Sequence, residues 1–388
     1  MANTRTPYII IFLLMFGLNI SAQQTITSTL MHGGVERDYI VYIPESYDAT
    51  ENVPLVLNFH GYGSNAFQQM NYGDFRAIAD REGFIVVHPN GTVDLLGSTH
   101  WNVGWGTSTV DDVNFISTLI DQLIEDYAIN AERIYSTGMS NGGFISYELA
   151  CQLSHRIAAI ASVTGAMSFA TYQACNPSRP VPVLQIHGTA DNTVPYDGGL
   201  VNRSIDECMT YWVNHNDCDE MPSVMAIDDV NTNDQSTVEH HIYVNGELGV
   251  NTELFVIDNG GHTWPGTAFG STGTNYDIDA SEEVWKFFAR YDINGAIQTA
   301  SVNGLELDYE ISISPNPSTE FVELCWNNDS AAQFQVLVYG VNGQLHSNFE
   351  RVSNCQRLNI SSLPQGLYYL YIKETTTGRS SSQKIIKI

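Results

Sequence analysis

The sequence predicts an α/β fold with a mostly parallel sheet, followed by a small all-β unit. Apolar strands alternate with helical stretches through most of the chain, which indicates a parallel sheet covered by helices on both faces. A Gly-x-Ser-x-Gly segment, Gly138–Gly142, lies between a predicted strand and a predicted helix. After Tyr291 the helical spacing stops and short alternating strands follow. The 388 residues are enough for one large domain and one small one.

The N-terminal segment predicts export. Arg5 precedes the uncharged apolar run Tyr8–Ile20, and Ser21–Ala22 offers a cleavage site of small residues. The run is shorter than the about 20 residues that cross a membrane. We therefore interpret residues 1–22 as a secretory signal peptide, and we expect no membrane span in the rest of the chain.

The charge balance limits the partners. Asp and Glu total 43 against 16 Lys and Arg, which gives a net charge of −27. So acidic a chain is a poor match for nucleic acid or for acidic lipid. It is typical of a soluble protein in an extracellular medium.

The catalytic region is predicted over residues 23–295. A hairpin over 25–47 turns at Gly33–Gly34. The elements that follow are a strand at Val53–Phe59, a helix at Ala66–Glu82, a strand at Gly83–Pro89, a Gly- and Trp-rich loop to Thr109, an amphipathic helix at Asp111–Tyr127, a strand at Arg133–Thr137, a helix at Gly143–Gln152, strands at Ile157–Val163 and Val181–Ile186, a helix at Ser204–His215, a strand at Thr252–Ile257 and a helix at Ser281–Tyr291.

Six cysteines in a secreted chain predict disulfides. Their spacings fit no zinc site, and we expect no metal. Pairing between neighbours is the simplest connectivity, and it would join Cys151 to Cys175, Cys208 to Cys218 and Cys325 to Cys355.

Ser140 is the candidate nucleophile. A sharp turn between a strand and a helix lifts the serine hydroxyl above the sheet edge, and the flanking glycines let the two elements approach closely. With 31 glycines in the chain, a chance match to this pattern is the alternative. The assignment therefore depends on finding a base, an acid and an oxyanion hole.

His262 is the candidate base and Asp191 the candidate acid. Each follows a predicted strand, so both belong to the carboxyl edge of the sheet, where Ser140 also lies. His60 and His187 also end strands, and Asp258 is the alternative carboxylate. The order Ser140, Asp191, His262 favours the first pair, because it is the order found in α/β-hydrolases.

Two backbone N–H groups are predicted to form the oxyanion hole. The residue after the nucleophile, Asn141, is the first choice, with Met139 as the alternative. The second donor is expected from the loop after Val53–Phe59, where we favour Tyr62 over Gly61 and Gly63.

These segments resemble the secreted polyhydroxybutyrate depolymerase and feruloyl esterase family, which is similar to the first carbohydrate-esterase family. The resemblance covers about residues 25–295, and its marks are Leu57–Gly61, Val110–Val113, Tyr135–Gly143, His187–Asp191, Val194–Tyr196 and Gly261–Gly266. It implies an α/β-hydrolase fold, ester hydrolysis without a cofactor, and the catalytic residues Ser140, Asp191 and His262. Members of the family act on feruloyl or acetyl groups of plant polysaccharide, or on polyesters.

Three tryptophans are candidate substrate contacts. Trp101 and Trp105 lie in the loop before the Asp111–Tyr127 helix, and Trp264 lies two residues after His262. Their rings could stack on a sugar or on a feruloyl group. Packing beneath a long loop is the alternative.

The C-terminal part is predicted as a linker over residues 296–310 and a β-sandwich over residues 311–388. Strands are expected at Phe321–Trp326, Phe334–Tyr339, Gln356–Ile360, Gly366–Lys373 and Gln383–Ile388, with a hairpin turn at Val341–Gly343. The segments Pro315–Pro317, Val338–Gly343, Leu363–Tyr369 and Lys384–Ile388 resemble the sorting domain of type IX secretion substrates. That resemblance implies the type IX secretion machinery as a partner; a carbohydrate-binding sandwich is the alternative.

The sequence thus predicts a secreted or surface-attached serine esterase. Feruloyl or acetyl esters on plant cell-wall polysaccharide are the first choice of substrate. A polyhydroxyalkanoate depolymerase is the second hypothesis. A surface glycan-binding protein without catalysis is the alternative from another class.

Overall fold

The computed structural model describes residues 23–297, 311–326, 333–340, 345–375 and 380–388. The chain divides into two compact units, one ending at Ile297 and the other beginning at Gln298. The predicted signal peptide, most of the predicted linker and the predicted turn at Val341–Gly343 lie outside the described residues. Among the described residues, no helix has the length and apolar character needed to cross a membrane.

The first unit is built on one large sheet with helices against it. Its strands are β1 (Gln24–His32), β2 (Val35–Ile43), β3 (Val53–Phe59), β4 (Ile85–Pro89), β5 (Thr92–Val93), β6 (Thr99–His100), β7 (Ile129–Met139), β8 (Ala159–Val163), β9 (Val183–Gly188), β10 (Ser223–Ala226), β11 (Thr237–Tyr243), β12 (Thr252–Asp258), β13 (Tyr291–Asp292) and β14 (Gly295–Ala296). Its helices are α1 (Ala66–Tyr72), α2 (Arg76–Glu82), α3 (Asp112–Asp126), α4 (Asn141–Gln152), α5 (Phe169–Ala174), α6 (Ile205–His215) and α7 (Ala280–Phe288).

The large sheet has ten strands in the order β1-β2-β4-β3-β7-β8-β9-β12-β11-β10. The six strands from β4 to β12 are parallel. An antiparallel pair completes each edge. The predicted α/β-hydrolase fold with a mostly parallel sheet is therefore confirmed. The sequence did not predict β10 and β11, because β10 is exposed along its whole length and β11 is largely polar.

Helices cover both faces of the sheet, as predicted. Adjacent strand residues point to opposite faces, so Leu55 and Leu57 enter one core and Val56 enters the other. The first core is closed by α3, α4 and α6. The second is closed by α2 and α7. The carboxyl ends of the parallel strands are left free for the loops that form the candidate site.

The predicted helix at Ala66–Glu82 is two helices. Its first half, α1, ends where the N–H of Gly73 donates to Gln69 O at 2.9 Å. A Cβ at Gly73 would lie 2.6 Å from Gln69 Nε2 and 3.2 Å from the Trp264 ring, so a larger residue would displace the Gln69 side chain from its hydrogen bond to Asn58. The chain bends there, and α2 begins at Arg76.

Two of the three expected disulfides are present, Cys151–Cys175 and Cys325–Cys355. The pairing of Cys208 with Cys218 is wrong, since both are buried free thiols. Cys208 lies in the first turn of α6 and Cys218 lies beyond its last turn. The Cys208 thiol accepts the N–H of Met167 at 3.3 Å, whereas the Cys218 thiol lies 3.8 Å from Val250 O and from Thr252 Oγ1, so the two sulfurs have different neighbours.

The second unit is all β, as predicted. Its strands are β15 (Ile311–Ser314), β16 (Phe321–Trp326), β17 (Phe334–Gly340), β18 (Leu345–Val352), β19 (Gln356–Asn359), β20 (Gly366–Glu374) and β21 (Ser380–Lys387). They form two sheets, β15-β16-β19 and β18-β17-β20-β21, which enclose one apolar core. The exposed strand β18 was not predicted, because only a few of its side chains face that core.

Candidate active site

Ser140 lies at the turn between β7 and α4. Its backbone has φ 55° and ψ −121°, a conformation that costs a non-glycine residue about 1–3 kcal/mol. Its N–H donates to Val163 O at 2.8 Å, at the end of the neighbouring strand. A Cβ at Gly142 would lie 2.0 Å from Phe59 O, and one at Gly138 would lie 2.4 Å from the same atom. Glycine on both sides of Ser140 is what lets α4 pass so close to β3.

His262 and Asp191 meet at the same edge of the sheet. His262 Nδ1 donates to Asp191 Oδ2 at 2.7 Å. The other carboxylate oxygen accepts the N–H groups of Thr193 at 2.8 Å and Val194 at 2.9 Å. The carboxylate is therefore held from two directions, and the bond to it uses Nδ1 of His262 and leaves Nε2 outside it.

Asp191 stays ionised despite its burial. Removal from water raises the pKa of the carboxyl, but the hydrogen bond and positive potential of His262 and the N–H of Val194 together hold it below its ordinary value. A carboxylate in this position can fix the imidazole tautomer and would stabilise an imidazolium on His262.

The alternative acid, Asp258, and one alternative base, His60, lie outside the cleft. Asp258 accepts the Thr189 hydroxyl at 3.1 Å and is exposed. His60 is buried: its Nε2 accepts the N–H of Gly91 at 2.9 Å, and its Nδ1 lies 2.7 Å from Gly61 O. The ring of His60 therefore secures the loop beside Ser140 without facing the cleft.

Some backbone N–H groups near Ser140 already donate a hydrogen bond within the protein, and others do not. Gly63 donates its N–H to Thr99 O at 2.8 Å, and the N–H of Gly61 lies 3.4 Å from the Tyr72 hydroxyl. Within the described residues, the N–H of Tyr62 has no hydrogen-bond partner. Asn141 is the first residue of α4, so its N–H has no intrahelical acceptor. Tyr62 and Asn141 are thus the donors left available for an oxyanion.

Ser140 and His262 line one cleft of about 310 Å³. Among the described residues, no hydrogen bond joins the side chains of Ser140 and His262. Hydrogen bonds between a nucleophile and its base often become short only when substrate binds. The remaining wall is largely apolar or aromatic and includes Tyr62, Tyr72, Met139, Trp264 and Phe269. The cleft can therefore hold an uncharged acyl group against the serine.

Residues 37–245 match the family model described as Esterase PHB depolymerase. This match covers more than half of the chain. The chain belongs to the Esterase PHB depolymerase family. Residues 312–388 match the model described as a secretion system C-terminal sorting domain. The second match confirms the predicted secreted or cell-surface localisation.

Two curated relatives of this Esterase PHB depolymerase family member are fungal. A bifunctional acetylxylan esterase/xylanase of Neocallimastix patriciarum is 29% identical over 283 residues, which are 72% of this chain and 37% of that protein. Feruloyl esterase B of Piromyces equi is 30% identical over 239 residues, 58% of this chain and 42% of that protein. The chain thus spans less than half the length of either relative.

One similar solved structure is an acetyl xylan esterase from Aspergillus awamori. It has a TM-score of 0.47 and 14% sequence identity, and the match covers 68% of this chain and 99% of that one.

Trp101 does not contact the cleft, contrary to the prediction. It is fully buried. Its backbone N–H donates to Asn141 Oδ1 at 2.6 Å, and Asn141 Nδ2 donates back to Trp101 O at 3.1 Å. The indole Nε1 donates to His60 O at 3.0 Å. Trp101 therefore ties the segment that carries Asn141 to the segment that carries Tyr62.

The other two predicted tryptophans differ in their exposure to the cleft. Trp264 is only 2% exposed, packs against Phe75 and donates Nε1 to Ser281 at 3.1 Å, so only an edge of its ring reaches the cleft wall. Trp105 is half-buried and packs edge-on against Phe144 at 5.1 Å. Its ring is not among the cleft-lining groups, so a substrate contact of Trp105 is not supported.

The sequence did not point to two of the aromatic residues that line the cleft. Tyr72 and Phe269 line it, and Phe269 is 68% exposed. Tyr72 is the last residue of α1, and in the sequence it looks like any other apolar residue on the buried face of a helix. Phe269 lies in a glycine-flanked loop that carries no motif. Only the folding of both segments over Ser140 identifies them.

Proposed function

We propose that this protein is a secreted serine esterase in which Ser140, His262 and Asp191 form the catalytic triad. One observation carries the proposal: the strained Ser140 shares a cleft with His262, and His262 donates to the buried Asp191 at 2.7 Å. The strain supports a functional role, because a conformation this costly is kept where it serves the chemistry.

The reaction follows from these positions. His262 Nε2 takes the proton of Ser140 as Oγ attacks the ester carbonyl. The N–H groups of Tyr62 and Asn141 donate to the oxygen that becomes negative in the tetrahedral intermediate. His262 then passes its proton to the departing alcohol, which leaves an acyl group on Ser140. A water molecule then loses a proton to His262 and attacks the acyl carbon. The bond to Ser140 Oγ breaks, the carboxylic acid leaves, and His262 returns the proton to Oγ.

Feruloyl or acetyl esters on plant polysaccharide are the proposed substrates. The support comes from two relatives, one named an acetylxylan esterase/xylanase and the other a feruloyl esterase. The aromatic wall formed by Tyr62, Tyr72 and Phe269 favours a feruloyl ring over the small acetyl group, because aromatic pairs gain from offset or edge contacts.

A polyester is the second candidate substrate. Phe67, 63% exposed, and Phe269 line an apolar depression of about 550 Å³ that adjoins the cleft through Tyr72. An exposed apolar surface of this kind also suits adsorption to a hydrophobic polymer.

The second unit is proposed to direct export through the type IX secretion machinery. The support is the sorting-domain match over residues 312–388. Fusing residues 311–388 to a periplasmic reporter tests this address: the reporter should leave a cell that has the secretion system and stay inside one that lacks it.

Hydrolysis of p-nitrophenyl acetate by the wild type, by Ser140→Ala and by Ser223→Ala tests the chemistry. Ser223 is an exposed serine on β10 and serves as the matched control. We expect Ser140→Ala to lose at least about a thousandfold in kcat and Ser223→Ala to lose none. Undiminished hydrolysis by Ser140→Ala would refute the assignment. Absence of hydrolysis in all three proteins would favour a glycan-binding protein without catalysis.

Release assays on feruloylated arabinoxylan, acetylated xylan and amorphous polyhydroxybutyrate, run side by side, test the substrate. Release of ferulate above the other two products supports the first choice. Faster erosion of the polyester would replace it with the second.

A further inference from the structure

A second depression, about 750 Å³ in volume, begins at His262 and is lined by none of the aromatic residues of the cleft. We call it the polar groove. Four segments line it, and they contribute Ala190, Asn192 and Thr193; Asn231, Asn233, Asp234 and Gln235; Asn259, Gly261 and His262; and Ser271, Thr272, Gly273, Thr274 and Tyr276. His262, Ser271 and Thr274 line both the cleft and the polar groove, so the two depressions are continuous at the candidate base.

The walls of the polar groove are held in place without a ligand. Asp277 Oδ1 accepts the N–H groups of Val230 at 2.9 Å and Asn231 at 3.0 Å. Asp234 Oδ2 accepts the N–H of Tyr276 at 2.9 Å. These hydrogen bonds join the loop that contains Asp234 to the loop that contains Tyr276, and the bonded residues are more than 40 positions apart in the sequence. A ligand would therefore meet a preformed surface and would not have to order the loops.

Several polar groups in the groove are uncommitted. The side chains of Asn192 and Asn233 are exposed and make no hydrogen bond within the described ranges. An amide offers both donors and an acceptor, which matches the hydroxyl groups of a sugar. Tyr276 is 41% exposed and adds an aromatic face of the kind that packs against the C–H face of a sugar ring.

The charge of the groove selects a neutral ligand. The residues that line it include no lysine or arginine. Its one carboxylate, Asp234, accepts the N–H of Ser236 with one oxygen and the N–H of Tyr276 with the other. A uronate would find no cation here and would approach a chain of net charge −27.

The position of the groove matches the alcohol side of an ester. His262 must protonate the departing alcohol, so that alcohol has to lie within reach of Nε2. The aromatic cleft already accommodates the acyl side. The depression that starts at His262 is therefore where the remainder of the substrate extends.

We propose that the polar groove binds the neutral sugar residues that carry the ester, through Asn192, Asn233 and Tyr276. This inference rests on the proposed function for the orientation of the ester. The groove itself is independent of catalysis, so binding and turnover test different things.

Binding is measured by titrating the Ser140→Ala protein with an ester-free neutral arabinoxylo-oligosaccharide, followed by calorimetry or NMR. When Asn192→Ala and Asn233→Ala are both introduced into the Ser140→Ala protein, binding should weaken about tenfold, since each lost hydrogen bond contributes about 0.5–1.5 kcal/mol. Asn114→Ala, an exposed asparagine on α3 outside the groove, is the matched control and should bind as its parent does. A glucuronate-bearing oligosaccharide should bind more weakly than the neutral one. No binding by the parent, or equal binding by the double variant, overturns the proposal.

Turnover provides the second measurement. The ratio of kcat/KM on a feruloylated arabinoxylo-oligosaccharide to kcat/KM on methyl ferulate, which lacks the sugar, should fall about tenfold in Asn192→Ala/Asn233→Ala. An unchanged ratio in a protein with unaltered Tm contradicts the subsite. Failure of the wild type to hydrolyse either ester contradicts the proposed function instead, and the titration still decides whether the groove binds sugar.

Discussion

His187 Nε2 lies 3.5 Å from Asp191 Oδ2 and 2.8 Å from Val194 O, with both side chains fully buried. Gln185 Nε2 donates to His187 Nδ1 at 3.0 Å, so the hydrogen of the neutral ring is on Nε2 and faces the acceptors around Asp191. Burial lowers the pKa of His187, which keeps the ring neutral. The candidate acid is thus supported by a histidine on the strand that precedes it.

Replacing His187 with phenylalanine should slow the enzyme without weakening substrate binding. The change removes an N–H from Val194 O and one acceptor from Gln185 Nε2, which keeps Gly165 O, so Asp191 loses part of its support. We expect kcat to fall about tenfold with KM within about twofold. His187→Gln, which keeps a donor, should recover most of kcat in steady-state kinetics on p-nitrophenyl acetate. A loss that appears in KM alone would show that His187 acts on the substrate side.

Ser140→Gly should be more stable than Ser140→Ala. Both variants lack the nucleophile, but only glycine adopts φ 55° without a steric penalty. The strain at this position destabilises Ser140→Ala by about 1–3 kcal/mol. Glycine has no such strain, but its greater loss of backbone entropy on folding destabilises Ser140→Gly by about 0.5–1 kcal/mol. We expect a difference of about 1 kcal/mol in favour of Ser140→Gly by urea denaturation. Equal stabilities would mean that the turn at Ser140 is unstrained.

Acid should destabilise the protein through His60. Burial lowers the pKa of His60 from 6.5 to about 4. Between these two pH values the imidazole is protonated in the unfolded chain and neutral in the native protein. Stability is then complete near pH 7 and falls as the pH drops from 6.5 towards 4. His60 alone should account for about 2 kcal/mol between pH 7 and pH 5.

Urea unfolding of His60→Gln at pH 7 and pH 5 tests this source of acid sensitivity. Glutamine does not titrate, so the variant should lose less stability between the two pH values than the wild type. His241→Gln is the control, since His241 is on the outer strand β11 and pairs with exposed Glu239. The same pH dependence in wild type and His60→Gln would exclude His60 as the source.

The thiols of Cys208 and Cys218 should be protected in the native protein. Burial raises the pKa of Cys208 to about 12, and the thiolate is the form that reacts with alkylating agents. Iodoacetamide should therefore modify neither cysteine until the chain is unfolded, after which mass spectrometry should find two modified residues. Absence of free thiol after unfolding without reductant would indicate that the predicted third disulfide forms.

Most of the fold could be predicted because its signals are local. The strand Val53–Phe59 has the same bounds in the sequence prediction and in the structure, since a continuous apolar run between turns is typical of a buried parallel strand. The edge strands β10 and β11 were missed for the opposite reason. Their exposed and polar residues do not form a pattern, and their pairing depends on β12, which comes later in the chain.

The sequence by itself determined the candidates for the chemistry. Ser140, Asp191 and His262 each follow a predicted parallel strand, and the carboxyl ends of such strands meet at one edge, so their proximity could be inferred from order alone. Tertiary structure decided the rest. Trp101 is a link between Asn141 and His60 and does not contact substrate, because residues 40 positions apart take up its hydrogen-bonding groups. Which side chain is buried, which N–H stays free and where loops 231–235 and 271–276 converge depend on contacts between distant segments, and local residue patterns do not encode those contacts.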